Sequence, residues 1–172
     1  MVDTIVDKSY KDFLELISYL EEKNEVSLKN EADNNFKKVL MLTAASFFET
    51  VITDKIKDFV DKKSNSNKSI ISFTSKKAIE RQYHTYFDWD KKNVNSFLGL
   101  FGEEFKEDFS KIIGEDEDLE KGIKNFLEIG RVRNELVHKN FGIYTIDVNA
   151  KDVYEKYKSA IYFIEIFQNK LI

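Results

Sequence analysis

DLEKGIKNFLEIGRVRNELVH, residues 118–138, reads as one amphipathic helix, and the rest of the chain is best understood outward from it. At 100° per residue, Leu119, Ile123, Phe126, Leu127, Gly130 and Val137 fall within about 100° of one another and form a core stripe. Asp116 or Asp118 supplies an N-terminal cap, and Gly142 ends the connection that follows. Toward the C-terminal end the stripe is interrupted. Arg133 and Asn134 lie inside the apolar arc, and His138 lies at its edge one turn after Asn134. Arg131 shares the angle of His138 two turns earlier. An arginine in an apolar seam is costly unless it is paired or faces a cleft. A buried acid would satisfy it and leave His138 an ordinary helix-end residue. Glu49 is a candidate for that acid, although its position also suits a solvated glutamate opposite the stripe of its own helix. The other reading is a functional cleft.

The flanking sequence is helical too. From Asn149 to the C-terminus, Val153, Tyr157, Ala160, Ile161, Ile164, Phe167 and Leu171 keep helical spacing. A long helix starts at Ser27. Phe36, Val39, Leu40, Thr43 and Phe47 mark one face, and Ala44, Phe48, Val51, Ile52, Ile56, Phe59 and Val60 widen it, which places this helix centrally in a bundle. Asp7 or Ser9 is expected to cap a first helix with Phe13, Leu14, Ile17 and Leu20 inward. KKSNSNKS (62–69) reads as a polar linker, and Ile70, Ile71 and Phe73 are too short a run to separate strand from helix. Short helices are expected from Ser75 over KKAIERQYH, from Asn93 or Asn95 to Gly99 or Gly102, and over EEFKEDFSKII up to Gly114. No repeat or internal boundary appears, so residues 1–172 read as one all-α domain.

Composition agrees. Hydrophobic residues make up 42 %, with fifteen Phe and eight Tyr, enough for a substantial core, and proline is absent. Without cysteine, disulfides and thiolate metal sites are excluded. Two separated histidines argue against a zinc site, and neither a phosphate-binding glycine loop nor a serine-hydrolase or metalloprotease motif occurs. No cofactor or metal is expected. EDED (115–118) reads as helix N-terminal charge rather than a cation site. The opening MVDTIVDKSYKDF has no apolar stretch behind a basic start, and no run approaches the ~20 apolar residues of a membrane span, so the expectation is a cytoplasmic protein. Net charge is −4, but it is uneven. Residues 55–92 hold ten Lys/Arg against five Asp/Glu, whereas residues 103–120 hold nine acids against two lysines. Such asymmetry suits either a polyanion-facing side or solvated helix faces.

RNELVH (133–138) resembles the R-x4-6-H motif of the HEPN superfamily, including the polar residue that often follows the arginine. LMLTAASFFE (40–49), YFDWDKKNVNSFLGLFGEEF (86–105) and IGRVRNELVHKNF (129–141) resemble its RiboL-PSP-type branch. The resemblance implies a helical bundle, with two or three short extra helices here, that dimerises and cleaves RNA without metal. It carries Arg133 and His138 onto the two motif positions and Asn134 onto the intervening polar one. Arg131 also meets the motif spacing; Arg133 is preferred because Asn134 follows it directly. HEPN toxins paired with nucleotidyltransferase antitoxins usually continue as H-x-Y, whereas this chain reads His138-Lys139-Asn140-Phe141.

The chemistry explains the residue types. In metal-free cleavage the ribose 2′-OH attacks the adjacent phosphorus, which needs a base for that proton and an acid for the leaving 5′-oxygen. Histidine serves both roles near neutral pH. Arginine stays charged and holds the phosphorane through paired hydrogen bonds. Asn134 is placed to orient the imidazole or a phosphate oxygen, and Arg131 and Lys139 are candidates for outlying phosphates. With His84 read as structural, one motif histidine per chain is too few, and a two-fold dimer with a shared cleft would supply two. The expected partners are RNA, a second copy of the chain, and an antitoxin or defence-system protein in a toxin or phage-defence setting. The competing reading is a non-catalytic HEPN-like module that binds RNA or a protein partner; a third is a structural subunit of a larger defence complex.

Overall fold

The computed structural model describes residues 3–171. The first helix, α1 (Ile5–Glu22), begins at a reciprocal cap. The Thr4 hydroxyl accepts from the Asp7 N–H at 3.2 Å, and Asp7 accepts from the Thr4 N–H at 2.8 Å. The cap therefore lies one turn before Asp7, and Asp7 serves as its acidic member. It is also a tertiary anchor. Asp7 is buried and accepts from Tyr154 at 2.6 Å and Lys158 at 3.3 Å, while the Thr4 hydroxyl meets Tyr157 at 2.7 Å. Burial alone would raise the Asp7 carboxyl, but hydrogen bonds from Tyr154, Thr4 and Lys158 outweigh it and hold the pKa at about 2. The folded value lies below the unfolded one, so this group's stabilisation is present above pH ~4 and is lost as pH falls toward the folded value. Urea titrations from pH 5 down to pH 2 should show the wild type losing about 2 kcal/mol more stability than Asp7→Asn. Equal pH dependence of the two proteins would contradict this account.

Seven further helices follow: α2 (Val26–Lys63), α3 (Lys68–Thr74), α4 (Tyr83–Tyr86), α5 (Asn95–Gly99), α6 (Glu103–Glu115), α7 (Glu117–His138) and α8 (Ala150–Leu171), with a π-helical turn at Ser75–Ile79. No strand occurs among the described residues, and the fold is all-α. The motif helix α7 is the fourth of the five long helices. No described helix is long and apolar enough to cross a membrane.

Helices α7 and α8 form the main layer. The pairs Glu128–Lys156, Gly122–Ser159 and Asp116–Tyr162 run in opposite order along the two helices, so they are antiparallel. The axes approach closely at Gly122, where a Cβ would lie 2.7 Å from the Ser159 carbonyl oxygen. All seven stripe residues of α8 are buried. Helix α2 crosses this pair and also packs on α1. Its Leu40, Met41, Ala44, Phe48, Ile52 and Ile56 are buried, and Phe48 meets Phe126 and Tyr157 at 5.4 and 5.6 Å. Asp116 caps α7 through the Leu119 N–H at 2.9 Å.

Several local expectations need correcting. Leu14 and Val39 are exposed, because the buried faces of α1 and α2 run along Val6–Tyr10–Phe13 and Leu40–Ala44–Phe48. The polar linker is shorter than 62–69: Lys62 and Lys63 end α2, and Asn67 caps α3 by accepting from the Ser69 and Ile70 N–H groups. The Ile70–Phe73 run is therefore helical. The helix expected over KKAIERQYH is broken. Glu80 is extended and Arg81 takes a left-handed φ of 61°. After the break Phe87 meets Phe126 edge-on at 4.9 Å and Trp89 meets it tilted at 6.0 Å. Burying these rings outweighs the few hydrogen bonds of a continued helix.

Candidate active site

The seam between α2 and α7 is filled by Phe48 and Phe126 and then opens past Gly130. Up to that point the buried stripe of α7 follows the sequence expectation. Beyond it the buried residues are Val132 and Leu136, and Val137, expected inside, is 53 % exposed. The side facing α2 no longer meets another helix. It walls a cavity of about 410 Å³, whose edge is formed by Glu49 from α2, by Arg81, Tyr83, His84 and Trp89, and by Arg133, Asn134 and His138 from α7. Arg133 and Asn134 are half-buried, and His138 is exposed at the rim. The apparent conflict of an arginine in an apolar seam is thus resolved by a cleft.

Within the cavity Arg133 donates to the Asn134 side-chain oxygen at 3.2 Å. Glu49, the candidate acid, lines the same cavity. Both charges reach Tyr83: burial first, then Glu49, pushes its phenol well above the ordinary value, and Arg133 opposes the shift. Arg131 is differently placed. It donates to Glu135 at 3.1 Å. Glu135 also accepts from Tyr144 and lies 3.6 Å from Lys139, and the Tyr144 hydrogen bond, aided by Lys139 and Arg131, holds its carboxyl below the ordinary range. Arg131, Glu135 and Lys139 border a second depression that shares Trp89, Asn134 and His138 with the first. The two differ in charge. Two arginines face Glu49 in the first, whereas Asp88, Asp90 and Glu135 outnumber Arg131 and Lys139 in the second. Among the described residues no group of three or more metal-ligating side chains is clustered.

The structure therefore brings Arg133, Asn134, His138 and Glu49 together and sets Arg131 and Lys139 beside them. It also adds wall residues that the sequence reading did not select: Arg81, Tyr83 and Trp89. His84, read as structural, is exposed on the wall of the cavity that holds the motif. The aromatic density of Tyr83, Tyr86, Phe87 and Trp89 signalled packing and masked the histidine among them.

The six-membered ring of Trp89 sits directly on α7 at Gly130, where a Cβ would stand 1.9 Å from Cζ3. Its indole N–H donates to the His84 carbonyl at 3.0 Å. On the far side, Lys38 of α2 is buried and donates to the Phe141 carbonyl at 2.8 Å, pinning the loop that leaves His138.

An all-α bundle with an Arg-Asn…His set on the penultimate helix has the architecture of a HEPN-superfamily protein. The family model described as RiboL-PSP-HEPN matches residues 7–172, and the chain belongs to that family. HEPN-domain proteins are often ribonucleases. No curated protein and no solved structure matches the chain. The three sequence segments that resemble the family meet at the cavity: Ala45, Phe48 and Glu49 from the first, Trp89 from the second, and Gly130, Arg133, Asn134 and His138 from the third.

Proposed function

We propose that this protein is a metal-independent endoribonuclease that cleaves RNA through attack of the ribose 2′-OH on the adjacent phosphate. The observation that carries the reading is the cavity itself, where Arg133, Asn134 and His138 converge under a local excess of positive charge. Arg133 is the motif arginine in this reading. Arg131 is held by Glu135, whereas the only side-chain bond of Arg133 among the described residues is to neutral Asn134, which leaves guanidinium donors for a phosphate. His138 transfers the proton, Arg133 stabilises the phosphorane, and Asn134 sets the orientation of the guanidinium.

The expected result is RNA cleavage in excess chelator, leaving a 2′,3′-cyclic phosphate and a 5′-hydroxyl, with the activity lost in His138→Ala. Products carrying a 5′-phosphate, or wild-type activity abolished by EDTA, would overturn the mechanism. RNA binding without cleavage would favour a binding module instead.

The working unit in this reading is a homodimer with the motif ends facing each other. Support comes from the end of α7 and the loop after it, where Val137, Phe141 and Ile143 leave apolar side chains exposed within five residues of His138 in sequence. Light scattering should give twice the mass of the chain, and replacing Val137 and Ile143 by Asp should shift it to monomer. A monomer at high concentration with full nuclease activity would count against the dimer. The setting consistent with this activity is a toxin or phage-defence system.

A further inference from the structure

We infer that His84 is the second proton-transfer group of the site, so that each chain carries its own imidazole pair, His84 with His138. The inference rests on the nuclease reading and deepens it. Cleavage by the 2′-OH requires two proton transfers. As the O2′–P bond forms, one imidazole takes the 2′-OH proton. As the P–O5′ bond breaks, an imidazolium gives a proton to the 5′-oxygen. The two rings exchange charge states, and the products are a cyclic phosphate and a 5′-hydroxyl. With only His138 available, a second chain would have to supply the other ring.

Three independent features place His84 for this role. It lines the same cavity as Arg133, Asn134 and His138, from a different element, so a phosphate held in that cavity by Arg133 would share it with both histidines. Its backbone is fixed to the motif helix: Trp89 bonds the His84 carbonyl and lies against Gly130, one turn before Arg133 and Asn134. Finally, the chain enters this wall through the left-handed Arg81, a conformation disfavoured for any residue with a Cβ and common where geometry serves a site. The Tyr86 hydroxyl, donating to the Ala78 carbonyl at 2.6 Å, ties the far side of the same turn. The charged and titratable groups around the pair are Glu49, Arg81, Tyr83 and Arg133 in the shared cavity, with Asp88, Asp90, Arg131, Glu135 and Lys139 on the depression that His138 also borders.

The test is steady-state cleavage of a short RNA by the full chain as a function of pH, for wild type, His84→Ala, His84→Gln, and His138→Ala. Both His84 variants should lower kcat by about two to four orders of magnitude with little change in KM, and each should lose one limb of a bell-shaped pH profile. His84 is exposed, so both variants should keep wild-type helicity. A second substrate, with sulfur replacing the leaving 5′-oxygen, needs no protonation of its leaving group. It should restore the rate of one of the two alanine variants and leave the other slow. Rescue of neither or both, a bell unchanged in His84→Gln, or a loss confined to KM would overturn the inference. If His138→Ala is impaired and His84→Ala is not, the nuclease reading stands and the His84 inference falls. If His138→Ala cleaves normally, the nuclease reading itself fails at this site.

Discussion

His138→Ala is expected to lower RNA cleavage by about two to four orders of magnitude, the usual range for loss of a general acid or base. Arg133→Ala should cost about as much, because the phosphorane would lose its main charged donor. Arg131→Ala should cost less and act on RNA affinity, since Glu135 already engages that guanidinium at 3.1 Å. Arg133→Lys separates charge from geometry. A lysine keeps the charge but not the planar fork, so most of the loss should remain. Combining Arg133→Ala with His138→Ala should not multiply the losses, because groups acting in one step are not additive. Arg131 and Arg133 are both half-buried, so circular dichroism of each variant must show the fold retained. A folded Arg133→Ala that cleaves normally, beside an inactive Arg131→Ala, would show that Arg131 is the motif arginine.

The helices could be read from the sequence wherever an amphipathic period ran for four turns or more. The α8 stripe from Val153 to Leu171 is buried throughout, and Asp116 caps α7 as its position suggested. Reading failed where a tertiary contact overrode the local pattern. Residues 75–84 look helical by spacing, yet the chain breaks at Glu80 and Arg81, and the rings of Phe87 and Trp89 reach Phe126. Val137 fits the stripe by angle, but the seam it would enter has already opened into the cavity. Periodicity records which residues share a face of one helix and carries no information on whether a neighbour is there to cover it.

The site divides along the same line. Asn134 and His138 lie one turn apart on one side of one helix, so their proximity follows from helical geometry, and Arg133 directly precedes Asn134. Glu49 and Trp89 lay within segments whose family resemblance hinted at a common place. His84 had neither cue. It is 54 residues from His138 in sequence and comes to the cavity from the segment that follows the break at Glu80 and the left-handed Arg81, where helical periodicity carries no information.

Gly130→Ala should show how far the site depends on Trp89. The added methyl would stand 1.9 Å from Cζ3 and 2.3 Å from Cε3 of the indole, against an ordinary carbon–carbon contact of about 3.5–4 Å. Phe87, Tyr83 and Phe126 pack on the ring at 4.9, 5.8 and 6.0 Å, so it can yield only toward the cavity and the depression that it borders. Overpacking of this kind costs about 1–3 kcal/mol, and the better helix propensity of alanine returns up to about 1 kcal/mol. The expected net loss is therefore up to about 2 kcal/mol in urea unfolding. The effect on activity should be larger than stability alone suggests. Moving the ring breaks the indole bond to the His84 carbonyl and shifts the wall facing Arg133, and a displacement of about 1 Å at a reacting centre can cost a hundredfold. Gly122→Ala provides the contrast. Its methyl would meet the Ser159 carbonyl on the α8 side, away from the cavity, so it should lower stability and leave kcat near wild type. Trp89→Leu supplies the second arm, since in that background Gly130→Ala should cost little, the two residues being in direct contact. An unchanged penalty there would mean that the glycine is needed for some reason other than the indole. Equal kcat losses in Gly130→Ala and Gly122→Ala would mean that the motif helix, rather than the wall opposite it, sets the geometry.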